Sequence, residues 1–291
     1  MHPDHTTGDA SHLLGRALAV TVALVAIKAI GAWWSHSLAL GADAAHSLGD
    51  VGALGLAWYA DWQRRQPPTP QLTFGWGRVE VLVALLNAIV LWALAGGLVW
   101  EAILQWQHPT PSKSLIMALA AGIALIINAA LAWGFRDPQD LNRRSTLWHL
   151  VTDAAGSLGV LIGAVILSLT GWDRVNSVIT VVIAGLMVFG AWGIMRDTVR
   201  VLLEATPAAL PIANITQYIE SIPGVARVHD LHVWTVGSGQ LALACHVNLS
   251  PTAPPSQEVL CQLHDVLAQH GIDHTTIQLE TPAESHREPS W

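Results

Sequence analysis

Between residues 13 and 203 the chain is a succession of long apolar runs: 13–34, 38–61, 79–105, 114–135, 145–169 and 175–202. Each is about as long as a helix needs to be to cross the hydrocarbon of a bilayer, roughly 20 residues. Lipid offers no partner for an exposed backbone N–H or C=O, so such runs are restricted to helices that bond internally. Short polar or proline-bearing stretches separate them: Ser35–His36, Gln63–Thr73 with Pro67, Pro68 and Pro70, Gln107–Ser112 with Pro109 and Pro111, Asp137–Arg144, and Thr170–Arg174. Only 12% of residues are charged, against about 25% in a soluble domain. Several of the 14 tryptophans, among them Trp33, Trp34, Trp62, Trp106 and Trp172, fall near run ends, where aromatic belts meet the lipid headgroups. The sequence therefore predicts an α-helical polytopic membrane domain of six transmembrane helices, in contact with a lipid bilayer.

Charge gives the expected direction. Arg64, Arg65 and Arg78 flank the second connection, Arg136, Arg143 and Arg144 the fourth, and Arg196 and Arg200 precede the tail, whereas the opposite side carries only Lys113 and Arg174. The positive-inside rule then puts both termini in the cytoplasm, as an even number of spans requires. The first residues, MHPDHTTGDASH, form a polar, histidine-bearing tail (1–12) without a basic start or cleavage site, so the first apolar run reads as a retained span. A net charge of -7 leaves no basic footprint for nucleic acid. Cys245 and Cys261 form no C-x-x-C pair and read as reduced thiols.

Residues 208–291 read as a separate soluble domain. Pro211–Ile222 has helical apolar spacing. Val225–Val236 and Gln240–Leu249 alternate like strands about Gly237-Ser238-Gly239, a hairpin signal. Ser256–His270 is helical, with Ser256 as the expected N-cap, and His274–Glu280 alternates again. The order αββαβ predicts a small α+β domain, a sheet with helices on one face, of ferredoxin or metallochaperone type.

Ionisable side chains inside hydrocarbon are costly and default to a functional reading. His46 and Asp50 stand one helical turn apart in the second run, and His149 and Asp153 in the fifth. A lone buried histidine or aspartate is commonly a hydrogen-bonded packing residue; the duplicated H-x-x-x-D spacing argues against that here. Gly41, Gly49, Gly52 and Gly55, and Gly156, Gly159 and Gly163, permit the two helices to approach closely. Brought together, two imidazoles and two carboxylates make a tetrahedral N2O2 set suited to Zn2+. Manganese and magnesium prefer oxygen ligands and copper(I) prefers sulfur, while cobalt and cadmium stay open. Metal requires neutral imidazole and ionised carboxylate, so loading displaces protons, and the expected activity is exchange of Zn2+ for H+ as counter-ion.

The stretches Ser37–Asp50 (SLALGADAAHSLGD) and Phe74–Asn87 (FGWGRVEVLVALLN), with His149–Asp153, resemble the cation diffusion facilitator family, in particular its zinc-transporting branch. The likeness spans nearly the whole chain. It implies a homodimer that exports divalent metal from the cytoplasm by alternating access, here in a bacterial inner membrane. It also implies a regulatory zinc site in the cytoplasmic domain from His232 (LHVW), His246 (CHV) and Glu280 (IQLE), completed by His274 or His264; exposed surface histidines are the plainer alternative. At the cytoplasmic surface it implies that Arg78 and Glu204 form a charge interlock; two solvated charges are the alternative.

Further polar residues lie within the runs. Asp43 shares the face of His46 and Asp50, as a vestibule ligand or, preferably, a helix-packing acceptor. Asn87 and Asn128 read as interhelical hydrogen-bonding amides or as pathway lining. Lys28 falls where the zinc branch often has an acidic residue; it would snorkel, pair with a carboxylate such as Asp43, or repel a cation near the entry path. His2, His5 and His12 would collect metal or belong to an unstructured tail. The competing functions are a membrane-anchored metal sensor or scaffold, and a transporter of the same type for Cd2+, Co2+, Fe2+ or Mn2+. An embedded metallohydrolase lacks its H-E-x-x-H motif, so no enzyme is expected.

Overall fold

The computed structural model describes residues 6–134, 141–237 and 239–281. Six long helices come first: α1 (Thr6–Ser35), α2 (Leu38–Arg64), α3 (Gly77–Gln107), α4 (Ser114–Gly134), α5 (Leu141–Thr170) and α6 (Val175–Leu202). Most outrun their apolar segments, because the hydrogen-bond ladder of a helix continues into polar sequence once it has begun. α1 starts at Thr6, so part of the expected polar tail is helical; His2 and His5 lie outside the described residues, as does the side chain of His12. Four helices, Gly77–Gln107, Ser114–Trp133, Leu150–Thr170 and Val175–Leu202, are long and apolar enough to cross a membrane by length and composition. α2 falls short of that measure because it carries Asp43, His46 and Asp50, and α1 because its described apolar stretch, Ala19–Ser35, is shorter.

Small residues set the helix contacts. A Cβ on Gly31 of α1 would lie 2.7 Å from the Ala120 Cβ of α4, and one on Gly49 of α2 would lie 2.6 Å from a Leu91 methyl of α3. Trp92 and Trp192 stack between α3 and α6, centroids 5.7 Å apart and planes within 7°. A polar knot ties the end of α1 to the starts of α2, α4 and α6: Ser37 Oγ donates to Asn176 Oδ1 at 2.8 Å, Asn176 Nδ2 donates to Ser112 Oγ at 2.9 Å, and the Lys113 N–H donates to the Ser35 carbonyl at 2.8 Å.

The rest follows the expected αββαβ order: α7 (Ile212–Glu220), β1 (Val225–Gly237), β2 (Gln240–Leu249), α8 (Ser256–Gln269) and β3 (His274–Glu280). The sheet order is β1-β2-β3, with β1 antiparallel and β3 parallel to β2. The parallel pair needs a crossover, and α8 supplies it. Ile215, Ile219, Val228, Val233, Leu243, Val247, Val259, Leu263 and Leu267 form the core between the helices and one sheet face. Pro255, not Ser256, occupies the cap position of α8, and no side-chain cap forms there; the fixed φ of proline presets the helix start. The chain divides into two compact units, residues 1–56 with 86–193 and residues 57–85 with 194–291, so the tail domain groups with the adjoining ends of α2, α3 and α6.

Candidate functional site

In the first unit, α2 and α5 converge on three candidate ligands. One ligand atom each from His46, Asp50 and Asp153 lies within 4.8 Å of the others. Helical spacing places His46 and Asp50 on one face of α2, with His46 Nε2 3.8 Å from Asp50 Oδ2. That distance exceeds a hydrogen bond and suits two groups that share an ion rather than a proton. Asp153 is buried, while His46 and Asp50 keep about a fifth of their side chains accessible, 23% and 20%. His46 Nδ1 and Asp50 Oδ2 are buried atoms that make no hydrogen bond among the described residues. Buried polar atoms in that condition require an explanation, and an arriving cation or proton supplies one. His149 lies on α5 one turn before Asp153, but its side chain is outside the described ones.

Asp43 is not one of that trio. Its Oδ2 receives Lys28 Nζ at 3.0 Å and Ser157 Oγ at 3.1 Å, and both charged side chains are 1% exposed. Lys28 therefore pairs within the bundle rather than snorkelling. Asn128 is buried on α4, its Nδ2 without a hydrogen-bond partner among the described residues; Asn87, on α3, is half-buried.

The second unit holds another cluster, made of His229, His246 and Glu280. The sheet register builds it: His229 faces His246 across β1–β2, and Asn248 faces Glu280 across β2–β3. His229 Nε2 lies 3.2 Å from Glu280 Oε2 and His246 Nδ1 lies 2.9 Å from Oε1. Asn248 and Gln278 donate to the same carboxylate at 3.0 and 3.3 Å. Burial by itself raises the affinity of Glu280 for a proton. The hydrogen bonds from His246 and His229, and their charge, outweigh it and hold the carboxyl below its usual range. Of the residues named from the sequence, His246 and Glu280 meet here and His232 does not. Its ring turns to Asp230, 2.9 Å away. His264 lies exposed on α8, and His274 packs edge-on against Phe74 at 5.2 Å. His229, not His232, takes the place beside Glu280.

Arg78 and Glu204 do meet, Nη2 to Oε1 at 2.6 Å, with both side chains substantially exposed.

Helices long and apolar enough to cross a membrane, an inward cluster of His46, Asp50 and Asp153 that could hold a metal ion, and a small α+β domain define a polytopic membrane protein. Comparison with known proteins agrees. The cation efflux transmembrane domain matches residues 14–203, and the cation efflux protein cytoplasmic domain matches residues 207–282. The chain belongs to the cation efflux family: it is a multi-pass membrane transporter of divalent cations, not an enzyme. It is 32% identical, over 97% of its length and 92% of the relative's, to the "Cadmium, cobalt and zinc/H(+)-K(+) antiporter" of Bacillus velezensis. It is 35% identical to the zinc transporter ZitB of Escherichia coli over 91% of this chain and 85% of that one. A solved structure, the metal-bound C-terminal domain of the CzcD transporter from Cuprividus metallidurans, is 39% identical over 24% of this chain and 99% of its own, with a TM-score of 0.23.

Proposed function

We propose that the chain exports Zn2+ from the cytoplasm in exchange for protons, by alternating access, with His46, Asp50, His149 and Asp153 as the transport ligands. The observation that carries this reading is the convergence of His46, Asp50 and Asp153 within 4.8 Å between two membrane helices. His149, one turn from Asp153, completes an N2O2 set. A neutral imidazole and an ionised carboxylate bind metal, and the same atoms take protons when metal leaves, so one site serves both ions in turn. Similarity to a named zinc transporter and to a named zinc/H(+)-K(+) antiporter supports both the metal and the exchange. Cadmium and cobalt, which accept the same ligands, share the route. Arginine placement supports cytoplasmic termini in a bacterial inner membrane, and the cytoplasmic-domain match supports a homodimer.

A second metal site is proposed at His229, His246 and Glu280. Two imidazoles and a carboxylate suit zinc, and Asn248 orients the carboxylate from behind. A cytoplasmic ion bound there favours one conformation of the transporter over another and thereby regulates export.

The test uses purified protein in sealed liposomes that contain a zinc-sensitive and a pH-sensitive dye. Zn2+ flux with opposed proton flux, lost in Asp153→Ala, is expected. Zinc binding without flux in sealed vesicles carrying the unmodified chain would overturn the reading in favour of a metal sensor.

A further inference from the structure

Lys28 is the most unusual charge in the bundle. It lies well inside α1, and its side chain is 1% exposed. Nζ donates to Asp43 Oδ2 at 3.0 Å and to Ser47 Oγ at 2.9 Å. Ser47 Oγ in turn donates to the Asp43 carbonyl at 3.1 Å, and Ser157 Oγ adds a second contact to the Asp43 carboxylate from α5. Three helices thus meet on one ion pair. Taking both charges out of water is costly, and hydrophobic residues of the same volume commonly stabilise as well or better. Stability alone is therefore a weak reason for such a pair.

Its position suggests another. Asp43 lies one turn before His46 on α2, and Ser157 one turn after Asp153 on α5, so the pair sits directly beside the proposed transport ligands. The second oxygen of Asp43, Oδ1, is buried and accepts no hydrogen bond among the described residues. It faces Gly156, where a Cβ would come within 3.1 Å of it. The Gly156 turn follows Asp153 directly. Asp43 is thus a carboxylate of the right charge, on the right face, with one oxygen uncommitted, yet it is outside the group that His46, Asp50 and Asp153 form.

We propose that Lys28 is a tethered cation that neutralises Asp43 and keeps it out of the ligand set, making Lys28 a determinant of metal selectivity. The inference rests on the transport site proposed above. With Asp43 held by the ammonium, the site offers four ligands, two of them nitrogen, and favours Zn2+. With Asp43 released, the site gains a third carboxylate. Oxygen-rich sites of higher coordination favour harder ions such as Mn2+.

The experiment compares initial rates of Zn2+ and Mn2+ uptake into proteoliposomes for the full chain and four variants. In Lys28→Met the preference for Zn2+ over Mn2+ falls about tenfold. In Asp43→Asn an unpaired ammonium remains beside the site, and the KM for Zn2+ rises about tenfold. Lys28→Met combined with Asp43→Asn removes both charges and returns both quantities to those of the unmodified chain. A residue that only held the bundle together would lower all rates without moving the ratio. An unchanged metal preference in Lys28→Met overturns the proposal. So does a raised KM in Asp43→Asn that the double variant fails to restore, a comparison that holds even where Lys28→Met alone does not fold. The fourth variant, Asp153→Ala, separates the two claims: Zn2+ uptake that survives it overturns the transport site itself, whatever Lys28 does.

Discussion

The rings of His229 and His246 stand opposite each other across the β1–β2 ladder, centroids 5.3 Å apart, and the buried Glu280 carboxylate reaches both. Glu280→Gln keeps the shape but removes the charge that a divalent ion needs and turns one of the two acceptor oxygens into a donor. Zinc bound by the purified full chain is expected to fall by about one ion per chain, with His229→Ala giving the same loss. His232→Ala is expected to leave the stoichiometry unchanged. Equilibrium dialysis with metal analysis checks all three, and equal losses from His232→Ala and His229→Ala would refute the assignment.

The reason that His229 is hard to pick from the sequence lies in one irregularity. Val228 and Val233 are both core residues although they are five positions apart, which a regular period of two forbids. A register shift between His229 and His232, with Asp230 at φ 50°, resets the phase. Before it, His229 pairs with His246; after it, His232 pairs with Ala244 and its ring meets Asp230 rather than Glu280. Sequence alternation carries no sign of such a bulge. By contrast, six helices and the αββαβ order follow from run length and periodicity, which bulges barely disturb. The Lys28–Asp43 pair was legible only as one of several options, because partner choice across helices depends on how α1, α2 and α5 rotate against each other.

At the proposed transport site, His46→Asp exchanges a nitrogen ligand for oxygen without changing the helix position. Zn2+ uptake is expected to persist with weaker preference, and Mn2+ uptake to appear or rise, by about tenfold in the ratio. Competition between the two ions in proteoliposomes measures this directly. An unchanged preference would place His46 outside the ligand set.

Cys245 gives a pH signature on the core face of the sheet, beside His246 in sequence. Its side chain points into the core of the tail domain, and burial pushes the thiol from 9.0 up to about 12. The folded domain therefore keeps the neutral thiol where the unfolded chain would ionise. That preference contributes fully below pH 9.0 and is lost as pH rises toward about 12. Alkylation at about pH 8 and about pH 10 should label the exposed Cys261 and spare Cys245 at both, as peptide mass analysis will show. Equal labelling of the two would contradict the burial.

Arg78 and Glu204 are close but wet, 43% and 57% exposed. Solvent-screened pairs of this kind contribute about 0–1 kcal/mol. Glu204→Gln should therefore shift the thermal unfolding of the detergent-solubilised protein only slightly. A larger role as an interlock would appear in transport instead: Arg78→Glu would lower flux, and combining it with Glu204→Arg would restore it. Failure of the exchanged pair to restore flux argues against a charge interlock.

Gly77 and Gly237 meet backbone to backbone, and the contact is asymmetric. A Cβ on Gly237 would lie 2.7 Å from the Gly77 Cα and 2.8 Å from its carbonyl oxygen, atoms that cannot step aside without moving the start of α3. A Cβ on Gly77 would meet its nearest atom, Gln240 Oε1, at 3.3 Å, and that side chain can swing away. Gly237→Ala should therefore lift the β1–β2 hairpin from α3 at a cost of about 1–3 kcal/mol, whereas Gly77→Ala should cost less than about 1 kcal/mol. Limited proteolysis of the two variants reads the difference at the hairpin, since a displaced hairpin is cut faster. The direction of the asymmetry is decisive: faster cutting in Gly77→Ala than in Gly237→Ala would mean that the hairpin does not seat on α3 through these two residues.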